Sequence, residues 1–224
     1  MNLEQRDLCV RCLRARSMCF CTRIKSFRPN FKLILLQHPR ERKNTIGTAR
    51  LTHLCVEDSM IIHGSRFEAD PYVTTLLSNH ENYCVVLYPG AEAFNLSEGE
   101  VSFTTAVKNR KLVVFVVDGT WALAKGMLRR SPRLLALPQI CFTPTRLSRY
   151  IVRRQPKDFC LSTIEAVYEL ISLIDPKTDA SVLLDTFSHL VEQQVERTHL
   201  EAEKGANIRM LLRKELPRKK AVRT

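Results

Sequence analysis

Lys111-Leu-Val-Val-Phe-Val-Val-Asp-Gly-Thr-Trp121 is the stretch that decides the fold. Val113 to Val117 are all β-branched or aromatic with no polar alternation, which predicts a central strand covered on both faces. Asp118 then falls at the strand's carboxyl end, the edge where open α/β sheets gather their ligands. Gly119 permits a sharp turn, and either Asp118 or Thr120 can cap a helix begun by ALAKGMLRR. An acid, a hydroxyl and the only tryptophan of the chain thus meet at one strand end. Taken alone, the segment reads equally as a capped strand-to-helix junction.

Outward from this strand, the pattern alternates. FKLILLQHP (31–39) predicts a strand ending at His38 and Pro39, TIGTARLTHLC (45–55) a helix, SMIIHGS (59–65) a short strand, and YVTTLLSNH (72–80) a helix. CVVLYPG (84–90) predicts a strand, and residues 91–110 a polar, loop-rich connection. After the Asp118 strand come a helix to about Arg130, a strand around PQICFTP and a helix from Ser162 through Leu173. Val182, Leu183, Phe187, Leu190, Val191 and Val195 mark the apolar stripe of a final long helix. This βαβα order predicts an α/β fold, a mostly parallel sheet flanked by helices. No internal repeat or low-complexity segment interrupts it.

At 224 residues the chain can bury one full core or a core plus a small appendage. No run of about 18 uncharged apolar residues exists, and MNLEQRDLCV lacks a secretory layout, so a cytoplasmic protein is expected, with no membrane association. The formal charge of +12 and a pI near 9.6 imply a polyanionic partner, and nucleic acid is the natural one. Residues 1–50 carry twelve Lys or Arg against three acids, and the chain ends LLRKELPRKKAVRT, which reads as a phosphate-binding or simply solvated tail. Seven scattered glycines supply neither G-x-G-x-x-G nor G-x-x-x-x-G-K-S/T, so an adenosine-type ligand must be held without either phosphate loop.

Eight cysteines in a cytoplasmic chain stay reduced, and clustered thiols are then better explained by metal than by disulfides. Cys9, Cys12, Cys19 and Cys21 read C-x2-C-x6-C-x-C, short enough to close four thiolates around one structural zinc ion. Arg11, Arg14 and Arg16 lie between them, favouring thiolates and offering contacts to phosphate. The C-x-C half departs from the usual C-x2-C knuckle, which leaves an incomplete site or another metal open. Cys55, Cys84, Cys141 and Cys160 read as core packing. The expected organisation is a four-cysteine zinc-binding segment (1–28), a catalytic domain (29–200) and a basic tail (201–224).

Asp-Gly-Thr-Trp at 118–121 does not stand alone. LYPG at 87–90, QHPRERKNT at 37–45, YIVRRQP at 150–156, LSTIEAV at 161–167 and the amino-terminal cysteines accompany it in order. Together they resemble the DTW-domain family, the tRNA-uridine aminocarboxypropyltransferases, over residues 9 to about 170. The resemblance implies a SPOUT-like fold with a trefoil knot whose loops hold S-adenosylmethionine. It implies transfer of the donor's 3-amino-3-carboxypropyl group to N3 of a tRNA uridine, at position 47 of the variable loop, with positions in the D-loop as the alternative within the family. A compact monomer is compatible with this, because tRNA offers enough surface for one subunit. Asp118, Thr120 and Trp121 match the functional signature. Asp118 would serve as base or substrate orienter, Thr120 would hydrogen-bond the amino-acid moiety or uracil, and Trp121 would stack on a base or the adenine, unless it is simply core. Leu87, Pro89 and Gly90 resemble a cofactor loop. Ser162, Thr163 and Glu165 resemble the last cofactor-binding loop, although Glu165 also suits a capping box. Asn44, Thr45, Tyr150 and Arg153 match substrate-facing positions, and His38 alone reads as a strand-end core histidine. A SPOUT-like RNA methyltransferase and a non-catalytic, zinc-stapled RNA-binding module are the alternative functions.

Overall fold

The computed structural model describes residues 7–42, 44, 47–99, 101–150 and 160–203. Thr45, Arg153 and most of the basic tail lie outside them. The strands are β1 (Lys32–Gln37), β2 (Met60–His63), β3 (Asn82–Leu87), β4 (Phe94–Asn95), β5 (Lys111–Asp118) and β6 (Gln139–Cys141). They form one sheet in the order β2-β1-β5-β3-β6-β4, with every adjacent pair parallel. The apolar run takes the place its composition requires, with β5 between β1 and β3.

Helices cover both faces. Leu33, Leu35, Val85, Val114 and Val116 point to one side, where α2 (Thr48–Cys55), α7 (Thr163–Ile174) and α8 (Ser181–Glu203) pack over them. Ile34, Leu36, Val86, Val113 and Phe115 point to the other, against α3 (Pro71–Ser78), α5 (Trp121–Arg129) and the short α6 (Pro132–Leu135). Successive strand residues serve opposite cores, which is why β5 lacks polar alternation. Leu183, Phe187, Leu190 and Val191 bury the expected stripe of α8. The chain enters α3 through Asp70, whose Oδ1 accepts from Val73 N–H at 2.9 Å, with Pro71 preset in the first turn.

Residues 91–110 depart from the expected loop. They contain β4, a 3-10 turn at Leu96–Glu98 and α4 (Val101–Val107). Phe103 decides this local structure: it is buried against Tyr83 and Phe94, with ring centroids 6.2 and 6.0 Å away. A single aromatic anchor in a polar segment carries too little periodicity to announce a helix. Two further short helices, α1 (Pro39–Arg42) and α6, lie where no helix is expected.

The cysteine segment shares the α7/α8 core, since Cys9, Cys12, Phe20 and Cys21 are buried in that cluster. Phe20 meets His189 of α8 edge-on at 4.9 Å. The expected trefoil knot turns on the chain path between β6 and α7, of which 151–159 lie outside the described residues. Among the described residues no helix is long and apolar enough to cross a membrane.

Candidate active site and cysteine cluster

The carboxyl ends of β1, β5 and β3 are adjacent, and register places Gln37 beside Asp118. Asp118 is buried there. Gln37 Nε2–H donates to its Oδ2 at 2.9 Å, and Thr163 Oγ1–H, from the first turn of α7, donates to its Oδ1. His38 N–H donates to the Asp118 carbonyl at 3.0 Å, locking the two strand ends together. Thr120 caps α5, its Oγ1 accepting from Leu123 N–H at 3.4 Å.

Above Asp118 opens a cavity of about 670 Å³, within the usual range for small-molecule sites. Its wall is largely apolar, from Leu87, Val116, Ile140, Phe142 and Leu161, with Asp118, Thr120, Ser162 and Thr163 supplying polar groups. Trp121 lines it and is 49% exposed, so it is a rim residue and not core. Tyr88 stands beside it, ring centroids 6.3 Å apart and planes 58° apart. Tyr150 forms a buried wall of the same cavity, edge-on to Phe187 at 5.2 Å.

Eight of the expected residues therefore converge on this cavity: Asp118, Thr120, Trp121, Leu87, Pro89, Ser162, Thr163 and Tyr150. Others sit outside its lining. The space a Cβ would need at Gly90 is occupied by Gln139 Oε1, so this glycine admits a strand-end side chain. Glu165 is buried, and its carboxylate accepts from Ser162 N–H and Ser148 Oγ–H, both at 2.8 Å, from Arg149 N–H at 2.8 Å and from Ser162 Oγ–H at 2.6 Å. Its oxygens tie the chain before Tyr150 to the start of α7. Asn44 donates to Glu41 Oε2 at 3.2 Å in the turn after α1. His38 is buried, its Nδ1 accepting from Arg40 N–H at 3.1 Å, as suits a strand-end histidine.

Gln37 and Tyr88 escaped the sequence reading. Gln37 carried the same signal as Asp118, a polar residue closing a bare apolar strand. Cys160 is buried as core packing requires and also lines the cavity, where the half-buried Cys141 joins it.

A larger cleft of about 820 Å³ opens at the opposite, amino-terminal edge of the sheet. Its cations are largely engaged: Arg28 with Glu57 and Asp58, Lys111 with Glu81, and Arg110 over the Tyr83 ring. It lacks the buried acid and the rim aromatics of the smaller cavity, which is where the chemistry is concentrated.

A family model described as DTW domain matches residues 6–195. The chain belongs to the DTW-domain family. Its relatives include tRNA-uridine aminocarboxypropyltransferase 2 of Mus musculus, 28% identical over 178 residues, covering 78% of this chain and 58% of the relative. The protein of that name from Macaca fascicularis is 29% identical over 77% of this chain and 58% of its own length. The Drosophila melanogaster protein of that name is 26% identical over 79% and 70%. The chain thus spans little more than half the length of the two mammalian relatives. No solved structure matches it significantly.

In this DTW-domain chain the four amino-terminal cysteines meet. Their Sγ atoms all lie within 4.8 Å of one another, with Cys9 to Cys21 at 3.8 Å and Cys12 to Cys19 at 3.9 Å. A tetrahedral ion with metal–sulfur bonds of ~2.3 Å sets sulfurs about 3.8 Å apart, so the spacing fits a tetrathiolate zinc site and is far too long for disulfides. The N–H groups of Cys12 and Arg11 point at Cys9 Sγ and hold its thiol down to about 6, whereas burial pushes Cys12 and Cys21 up. Arg50 Nη1–H donates to the Arg11 carbonyl at 3.2 Å, fastening the cluster to α2.

Proposed function

We propose that this protein transfers the 3-amino-3-carboxypropyl group of S-adenosylmethionine to N3 of a uridine in tRNA, giving acp3U and methylthioadenosine. The observation that carries the reading is Asp118, buried at the base of a ligand-sized cavity beside hydroxyls and under an aromatic rim. Family membership and the relatives' names support it.

N3 of uridine must lose its proton to attack. The nucleophile then bonds to the donor carbon γ to the carboxylate, the carbon–sulfur bond breaks, and sulfur keeps the electron pair as a thioether. Asp118 accepts the N3 proton or orients the imide, held by Gln37 and Thr163 so that it need not reorganise during reaction. The apolar wall beside Leu87 and Ile140 suits the adenosine. Trp121 and Tyr88 at the rim suit a uracil turned out of its stack, and each base–aromatic contact contributes about 1–3 kcal/mol. Thr45 and Arg153, with Asn44, are proposed as contacts to tRNA or to the donor carboxylate.

Cys9, Cys12, Cys19 and Cys21 would hold a structural zinc ion, whose role is to staple the segment onto α8. A cytoplasmic location belongs to the same proposal, since tRNA and reduced thiols suit a reducing compartment.

Mass spectrometry of nucleosides and co-products tests this, after incubation with unmodified tRNA transcript and S-adenosylmethionine. A uridine heavier by one aminocarboxypropyl group, with methylthioadenosine released, is expected, and mapping it should place it at position 47. A methylated nucleoside with adenosylhomocysteine would replace this reading with a methyltransferase. No product despite tight tRNA binding would leave a binding module.

A further inference from the structure

Arg14 lies between Cys12 and Cys19 in sequence, and only 4% of it is exposed. Among the described residues neither Nη1 nor Nη2 has a hydrogen-bond partner. No ion pair of Arg14 occurs among those residues either. Its guanidinium packs over Phe20, with Cζ 4.9 Å from the ring centroid. Its backbone belongs to the cysteine loop, Cys9 N–H donating to the Arg14 carbonyl at 2.8 Å. A guanidinium does not give up its proton in a protein, so burial leaves a fixed cation without a visible anion.

The cysteine cluster supplies the missing anion once it holds a metal. Four thiolates outweigh a divalent ion by two negative charges, and a charge of that size, held in a partly dry site, needs a nearby cation. We propose that Arg14 is the internal counter-charge of a tetrathiolate metal site at Cys9, Cys12, Cys19 and Cys21, so that the loaded cluster and the buried guanidinium stabilise each other. This rests on the metal reading above. It goes beyond that reading by assigning a residue that is not a ligand to hold the metal in place.

The rival explanation is that Arg14 stays for its contact with Phe20. A cation–π contact operates whether or not metal is present, whereas a counter-charge operates only when it is. The two therefore differ in how the effect of Arg14 depends on Zn²⁺.

The full chain is prepared zinc-loaded and metal-free as wild type, Arg14→Met and Arg14→Lys, and Zn²⁺ affinity is measured by chelator competition and stability by thermal unfolding. Arg14→Met should bind Zn²⁺ at least about tenfold more weakly, as loss of an outer partner of a metal site does. Its metal-free form should melt no lower than metal-free wild type, because an unpaired buried charge has gone. Arg14→Lys, which keeps the charge, should recover most of the affinity. If Arg14→Met does not fold, Arg14→Gln carries the same comparison. Unchanged Zn²⁺ affinity in the neutral variant would overturn the proposal, as would an equal drop in melting temperature with and without metal. A wild-type chain that takes up no Zn²⁺ would refute the metal reading itself.

Discussion

Asp118 is held from two directions, by Gln37 of the neighbouring strand and Thr163 of the distant α7. Two elements far apart in sequence thus agree on where one carboxylate points, which is how a catalytic group is preorganised. Asp118→Asn keeps the size but removes the proton acceptor and sets an amide N–H2 against at least one existing donor. It should lower kcat by about 10²- to 10⁴-fold, with tRNA affinity in a filter-binding assay unchanged. A product yield equal to wild type would remove Asp118 from the chemistry. Trp121→Ala should instead raise KM for tRNA more than it lowers kcat, since a rim aromatic contributes mainly to binding. Asp118 and Trp121 were legible in the sequence because an acid and an aromatic directly follow a bare apolar strand. Gln37 was hidden because the His-Pro after it dominates the reading of that strand end. Glu165 matched a motif, and its four hydrogen bonds show it fastening chain to chain.

The described ends of the link between β6 and α7, residues 142–150 and 160–162, contribute lining to the cavity, and two acids of α7 secure the first of them. Glu165 binds the Ser148–Arg149 backbone turn and Ser162, while Glu169 accepts from Thr145 Oγ1–H at 3.0 Å and pairs with Arg146 at 3.3 Å. Glu165→Ala leaves four donors without their acceptor inside a buried corner and should destabilise the protein by about 2–4 kcal/mol. Calorimetric titration should also show weaker S-adenosylmethionine binding, because Tyr150 and Ser162 both line the cavity. Donor affinity equal to wild type would show that this link is not part of the binding wall. Strands β1, β2, β3, β5 and β6 and helices α2, α3, α5, α7 and α8 were readable because each carries an apolar stripe or a bare apolar run, whereas the two-residue β4 was not. The helix α4 was not, since it depends on Phe103 finding Tyr83 and Phe94 across the fold. No local pattern encodes such a partner.

Two properties of the whole molecule respond to solution conditions, pH through its histidines and salt through its charge. His53 is held below the ordinary imidazole range by burial and then by Arg50, and His63 by burial and then by Arg42 and Arg50. Their folded values lie below the unfolded value of about 6.5, so between the two the unfolded chain binds more protons. Stability should therefore fall as pH drops from 7 through that value. His53→Gln should flatten this limb in denaturant titrations at pH 7.5 and 5.5, and a limb unchanged in that variant would assign the loss elsewhere. Salt acts through the excess of +12 charges, part of which borders the active edge. Arg40 and Arg42 follow β1 directly, Lys125 lies early in α5, and Arg149 precedes the cavity wall; all four are exposed. Cations around the mouth of an apolar cavity suit a substrate whose backbone is polyanionic and whose reacting base is not. If tRNA covers about six such charges, its affinity should fall on the order of 10³-fold between 50 and 200 mM salt. Arg40→Glu with Arg42→Glu should reduce that slope while leaving S-adenosylmethionine affinity in place, because neither side chain lines the cavity. An unaltered slope would move the tRNA path off this edge, and salt-independent binding would remove the electrostatic role altogether.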